Sequence, residues 1–274
     1  MNPSPLAIVA LLVLAAASAS AQADSAAAAE PIQDNSFLVE EAYNQDPGVV
    51  QHISNFARDR GGDWAYSFTQ EWPLGGVRNQ ISYTIPLVHA GDETRIGDVM
   101  VNYRYQWIGD ADARVAVAPR LTAILPTGSA RRGFGAGAFG VQGAIPLSVV
   151  VVDRVLVAHS NVGVTYFSRA QDPAGNRGAT TSFFLAQSAV WLVRPMFNLL
   201  VEGVWARDQF VTGPNSTDTE ERAVISPGIR FGWNLPGGVQ VVPGIAVPFG
   251  IGPSEGERAL FLYFSVEHPF KRQR

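Results

Sequence analysis

The chain has 274 residues, of which 16% are charged, with a formal net charge of -4 and no cysteine. This excludes a disulfide scaffold and any thiolate metal site, and leaves no basic surface for nucleic acid. A hydrophobic fraction of 47% with 10% aromatic residues also sets the chain apart from disordered sequences.

Leu6 to Ala19 is an unbroken run of apolar and small residues, closed by Ala19-Ser20-Ala21. Such a run with an A-x-A site predicts a secretory signal over residues 1–21, because about 15 apolar residues fall short of the ~20 that a spanning helix needs. Residues 22–47 are then an N-terminal segment of the periplasm or of a lumen, 48–270 the body of the fold, and 271–274 a tail.

Beyond the signal, the hydrophobic period is two. Trp64, Tyr66, Phe68 and Trp72 share one face, with Ala65, Ser67, Thr69 and Glu71 on the other. Ile81/Tyr83/Ile85/Leu87, Val99/Val101/Tyr103/Tyr105 and Leu260/Leu262/Phe264/Val266 repeat the pattern. The reading is all-β, with about twelve strands near 48–56, 64–72, 79–87, 96–107, 114–126, 135–147, 155–166, 180–193, 197–208, 221–233, 239–249 and 259–270. Most are longer than ordinary globular strands and suit a tilted bilayer crossing, which takes about 9–11 residues. Longer polar connections, such as 168–177 and 211–220, alternate with shorter ones, such as Arg194-Pro195-Met196. An even strand count with that alternation predicts a transmembrane antiparallel up-and-down β-barrel, with both termini and the shorter turns in the periplasm.

Aromatics gather near strand ends, as membrane girdles require: Trp72, Trp107, Trp191, Phe197, Trp233 and Phe270 at one end, Phe56, Trp64, Tyr166, Trp205 and Phe249 at the other. Alternation alone leaves a soluble two-sheet sandwich open, with the apolar faces packed as a core. Pro119, Pro227 and Pro243 fall inside predicted strands, where each removes a ladder donor. They predict bulges; alternatively, Pro227 and Pro243 lie at one level and open the wall sideways.

Catalytic and metal motifs are absent from this reading. Gly135-Ala136-Gly137-Ala138-Phe139-Gly140 matches G-x-G-x-x-G without the strand-turn-helix that gives the motif meaning. His52, His89, His159 and His268 are scattered, no G-x-S-x-G occurs, and His159 and Ser160 point to opposite faces. The expectation is no enzyme, no metal and no cofactor. By parity the polar face carries Glu71, Asp98, Arg104, Arg120, His159, Glu202 and Arg230, the candidate lumen-lining residues. Arg104, Arg120 and Arg230 opposite Glu71 and Glu202 would set the polarity of a solute path or knit the interior shut.

The stretch Ser36-Phe37-Leu38-Val39-Glu40-Glu41-Ala42-Tyr43-Asn44-Gln45, continuing to Gly48-Val49-Val50-Gln51-His52, resembles the start of the Putative MetA-pathway of phenol degradation family. Gly97-Asp98-Val99, Asn102-Tyr103-Arg104-Tyr105, Ala118-Pro119-Arg120-Leu121 and Leu125-Pro126-Thr127-Gly128 extend the resemblance over most of the mature chain. It implies a bacterial outer-membrane barrel of transporter type, with aromatic or apolar substrates suggested by the family name. The functional expectation is a monomeric porin-like channel for passive passage of a small solute. Its partners would be outer-membrane lipid, the solute and the barrel assembly machinery, with no nucleic acid. The alternative is a closed structural or surface-interaction barrel that acts through the loops around 167–179 and 209–220.

Overall fold

A sheet whose residues alternate in polarity has one apolar and one polar face, and one of them has to be hidden from water. In the computed structural model, which describes residues 31–270, the sheet achieves this by closing on itself. The strands run antiparallel in chain order: β1 (Val49–Asp59), β2 (Trp64–Pro73), β3 (Asn79–Ala90), β4 (Glu93–Ile96 and Val99–Tyr105), β5 (Val115–Val117 and Arg120–Leu125), β6 (Gly140–Val152), β7 (Leu156–Gln171), β8 (Arg177–Arg194), β9 (Phe197–Gly213), β10 (Ser216–Phe231), β11 (Val239–Ala246 and Phe249–Gly250) and β12 (Ala259–Pro269). Each pairs with the next, and β12 pairs with β1 from Val49↔Pro269 to Asp59↔Ala259, giving a closed 12-strand barrel.

The apolar face points outward. Leu260, Leu262 and Phe264 of β12, Val162 and Val164 of β7, and Phe183 and Leu185 of β8 are exposed, whereas their neighbours Phe261, Tyr263, Asn161 and Ala186 are buried inside. A soluble sandwich would hide the first set, so that alternative does not describe this fold. The end at which Phe270 N donates to Gly48 O (2.8 Å) is called the base here. Trp107, Trp191, Trp233 and Phe270 are exposed around it. At the far end Phe56 and Trp64 lie 5.8 Å apart and Trp64 stacks on His89 at 5.5 Å. The signal segment 1–21 and the tail 271–274 lie outside the described residues.

Several strand boundaries differ from the sequence expectation. β9 runs to Gly213 and β10 starts at Ser216, so the expected loop 209–220 is a tall hairpin turning at Pro214-Asn215, with Asn215 at φ +54. Likewise β7 continues to Gln171 and β8 begins at Arg177, which shrinks the expected loop 167–179 to five residues. Above the apolar band Ser216–Arg222 of β10 is exposed on both faces, so the alternation vanishes there while the ladder continues, as at Phe210↔Asp218. The sixth strand begins at Gly140, with Gly135–Phe139 left in the connection before it.

The prolines bend the wall without parting it. Pro119 falls between the two halves of β5, and Pro248 interrupts β11. Pro227 lies opposite Val201 of β9, and its carbonyl accepts from Val247 N at 3.1 Å. Pro243 faces Phe264 of β12, where Arg230↔Gly244 and Gly228↔Ala246 hold the neighbouring seam. Pro227 and Pro243 are therefore on different rungs, and the sideways opening built on their being level does not exist in this form.

A sheet with no free edge resists detergent until heated. The unboiled protein should run ahead of the boiled protein on a denaturing gel; identical mobility would contradict closure.

Candidate functional site

The interior is filled from the base by the segment Ile32–Gln45. It touches side chains all the way round the wall, from Gln80 of β3 through Ser148 of β6 and His159 of β7 to Glu202 of β9 and Tyr263 of β12. Only a segment inside the barrel can do so. Its path begins at Ile32, whose N–H donates to Pro195 O (2.8 Å) at the base, climbs to a bend at Phe37–Glu40, and returns to the base at Asn44 and Gln45. We call it the strap.

The first limb is held by its carbonyls. Arg230 Nη1 donates to the carbonyls of Gln33 (3.0 Å) and Asn35, Asn198 Nδ2 donates to Gln33 O (3.1 Å), and His159 Nε2 meets Asp34 O at 3.0 Å. Arg230 and His159 are completely enclosed, and the Arg230 guanidinium lies over the Tyr263 ring at 5.4 Å. An unpaired charge in the place of Arg230 would be prohibitive, so the strap carbonyls serve as its solvent.

The bend is held by one carboxylate. Glu202 Oε1 accepts the successive N–H groups of Phe37 (3.0 Å), Leu38 (2.7 Å) and Val39 (3.1 Å). Consecutive N–H groups curled around one anion form a nest, and hydrogen bonds to a charged group contribute about 1.5–3 kcal/mol each. Next to it Asn161 reads the Glu40 backbone at both ends, Oδ1 accepting from Glu40 N (2.7 Å) and Nδ2 donating to Glu40 O (2.8 Å). Phe37 and Ile32 pack with Val190, Leu200, Val242, Ala246, Phe261 and Tyr263 in an apolar cluster on this side of the lumen.

The second limb is an arginine site. Arg104 is 2% exposed, and it donates from Nε to Asn44 Oδ1 (2.9 Å), from Nη1 to Glu40 Oε1 (3.0 Å) and Glu41 O (3.2 Å), and from Nη2 to Tyr43 O (2.7 Å). Glu40 spans two cations, because its Oε2 lies 2.7 Å from Arg120 Nη1. Ala42 N donates to Ser148 Oγ (2.7 Å), which is itself 2.8 Å from His159 Nδ1. Gln106, Gln80 and Gln51 complete the row: Asn44 N donates to Gln106 (3.0 Å), Gln45 N to Gln80 (2.7 Å) and Gln45 Nε2 to Gln51 (2.6 Å). Burial pushes the Glu41 carboxyl above its ordinary range, against the attraction of Arg104.

Of the residues singled out by parity, Arg104, Arg120, His159, Glu202 and Arg230 meet the strap directly. Glu71 joins at one remove, accepting from Gln80 (2.8 Å) and lying 4.0 Å from Arg104. Asp98 does not join: it accepts Gly128 N (2.9 Å) and Ala136 N (2.7 Å) and pins the far-end connection between β5 and β6. The pairing expected across the lumen is also different. Arg120 is matched by Glu40 of the strap, and Arg230 by strap carbonyls. Parity put Gln80 and Gln106 on the polar face without a role, and sequence reasoning missed Gln51, Ser148, Ser188 and Asn198, although the same parity also puts neutral polar side chains there.

This architecture, a closed antiparallel barrel with an apolar exterior and a polar interior, defines a protein of the outer-membrane barrel class. Residues 43–257 match the model of the family described as Putative MetA-pathway of phenol degradation, and the chain belongs to that family. Among solved structures it is similar to the COG4313 outer membrane channel from Pseudomonas putida F1, with a TM-score of 0.59, 10% identity, and coverage of 89% of this chain and 99% of that one. It is also similar to the NanC porin, with a TM-score of 0.53, 10% identity, and coverage of 80% and 99%. At such identities the likeness establishes the fold. No curated protein matches.

Replacing Glu202 with Ala would leave three enclosed N–H groups unpaired, at about 1–3 kcal/mol each. Amide exchange at Phe37, Leu38 and Val39 should then accelerate at least tenfold. In Arg104→Met the acceleration should fall instead on Ala42–Gln45; equal protection in both variants would contradict the two-limb anchoring.

Proposed function

We propose that the protein is an outer-membrane channel for passive passage of a small solute, aromatic or apolar, and that the strap is its plug. The observation that carries this reading is how the strap is attached. From Gln33 to Gln45 the described hydrogen bonds between strap backbone and wall all go to wall side chains, so the strap can leave without breaking a single rung of the barrel. Water entering the emptied lumen would satisfy the groups left behind.

The lumen wall favours a solute with two faces. On one side runs a polar ladder: Thr69 and Thr84 hydroxyls 2.8 Å apart, Asn102 donating to Ser82 (3.1 Å) and accepting from Thr122 (2.8 Å), and Arg120 donating to Gln142 (2.8 Å). The other side is apolar, with Val190, Leu200, Val242, Ala246 and Phe261. The family description supports an aromatic solute, and the neighbouring fold described as an outer membrane channel supports passage. Arg104, Arg120, His159, Glu202 and Arg230 are then plug-holding residues at rest and lumen-lining residues when the strap moves. We place the base and both termini in the periplasm, with the tall β7–β8 and β9–β10 hairpins outside, and read the outward Leu260/Leu262/Phe264 strand as the one handed to the barrel assembly machinery.

A permanently closed structural barrel is the second reading, favoured by the number of contacts Arg104 makes with the strap. Liposome swelling separates the two. Deletion of residues 31–47 should raise the rate of small-solute entry at least tenfold over the full chain, and no entry through either form would remove transport and leave the closed barrel. An epitope inserted between Pro214 and Asn215 should be labelled on intact cells; labelling only after lysis would reverse the orientation.

A further inference from the structure

Phe37 sits in a socket built by the wall. A Cβ on Gly228 of β10 would come within 2.7 Å of its ring, and one on Gly244 of β11 within 2.4 Å, so the ring lies on bare backbone. Neither glycine has a positive φ, and both stand in the paired seam marked by Gly228↔Ala246 and Arg230↔Gly244. Glycine weakens a strand interior, and its recurrent use there is to let something approach the backbone closely. Here that something is an aromatic ring. The socket walls are aromatic as well: Phe261 stacks on Phe37 at 5.6 Å with 30° between planes, and Tyr263 is tilted at 5.0 Å, both within the range of favourable ring pairs.

The socket also holds polar groups that a phenyl ring cannot use. Glu202 and Ser226 face each other in register beside it, and among the described residues Glu202 Oε2 and Ser226 Oγ are enclosed without a hydrogen-bond partner. Buried polar atoms are ordinarily paired, by protein or by water. A ring carrying a hydroxyl would supply the donor that Phe37 lacks.

We propose that this socket is the channel's subsite for a small uncharged aromatic solute, of hydroxylated type, and that Phe37 is a resident competitor for it. A solute ring that takes the socket expels Phe37. Because the Phe37, Leu38 and Val39 N–H groups all rest on Glu202, losing the ring unseats the bend, and the solute clears its own path. The proposal rests on the channel reading and adds to it the site of recognition and the trigger.

Phenol is the probe, with glucose as the non-aromatic control. With the full chain, phenol should raise amide exchange at Phe37–Val39 at least tenfold and glucose should not. Phe37→Ala leaves a ring-sized apolar hollow of the kind that binds benzene in other proteins. This variant should bind phenol at least tenfold more tightly than the full chain, and adding Gly244→Ala to it should abolish the gain. The heat-dependent gel shift shows that each variant is folded. A folded Phe37→Ala variant with no gain in phenol binding would overturn the proposal, and so would unchanged exchange in the full chain at phenol concentrations that saturate the variant. Failure of the channel reading is seen separately, as no solute entry after deletion of residues 31–47.

Discussion

Everything in this molecule follows from the pairing of β12 with β1. In a hydrocarbon environment an unpaired strand edge has no water to satisfy it, so the sheet must close. Closure at twelve strands turns the polar face inward, where enclosed charged side chains need hydrogen-bonding partners. Arg104 and Arg230 are both enclosed, yet the ion pair Arg104 makes within the wall, with Glu71, is at 4.0 Å. The strap resolves this by supplying carbonyls to the arginines and amides to Glu202. One bent segment offers both, carbonyls along its two limbs and three consecutive N–H groups at its bend.

The dependence runs both ways. The strap has no repeating structure of its own in Ile32–Gln45, and its backbone groups would be orphans in an apolar lumen. Side chains from many strands take the place of a neighbouring strand, most completely at Asn161, whose amide pairs with Glu40 as a peptide unit would. Barrel and strap are thus complementary in hydrogen bonding while remaining separate in ladder topology, and that separation distinguishes the strap from a thirteenth strand.

How much of this was legible in the sequence depends on what each signal measures. Strand number and facing were legible because they rest on period-two alternation, which lipid enforces on every strand that crosses it, as in Leu260/Leu262/Phe264. The tall hairpins were misread as loops where lipid no longer enforces anything: Thr217, Asp218, Thr219 and Glu220 look like a turn and are paired strand. Parity marked Arg104, Arg120, His159, Glu202 and Arg230 as inward, but said nothing about partners, because partners come from a segment without periodicity. Asp98 had the right parity and a different task, since β4 breaks at Gly97-Asp98 and its carboxylate turns to loop amides. The socket was invisible for a simpler reason. Gly228 and Gly244 carry no side chain, and what they accommodate, Phe37, lies in a distant part of the chain.

The anchoring of the strap is uneven, and this shapes what can move. Its two feet are fixed near the base, one by Arg230 and Asn198 on Gln33, the other by Gln106, Gln80 and Gln51 on Asn44 and Gln45. The bend between them is held by the Glu202 carboxylate, by Asn161, by the pairing of Glu40 with Arg104 and Arg120, and by the Phe37 ring. The hydrogen bonds to the Glu202 carboxylate contribute about 1.5–3 kcal/mol each, and a buried phenyl about 3–5 kcal/mol by the cost of its truncation. The ring is the one of these contacts that a solute of the same shape can replace. On the channel reading, a strap with two fixed feet and a bend that a ring helps to fasten would lift in the middle before coming away at its ends. Local opening of that kind costs far less than expelling the whole segment, and it leaves the feet in place to draw the bend back.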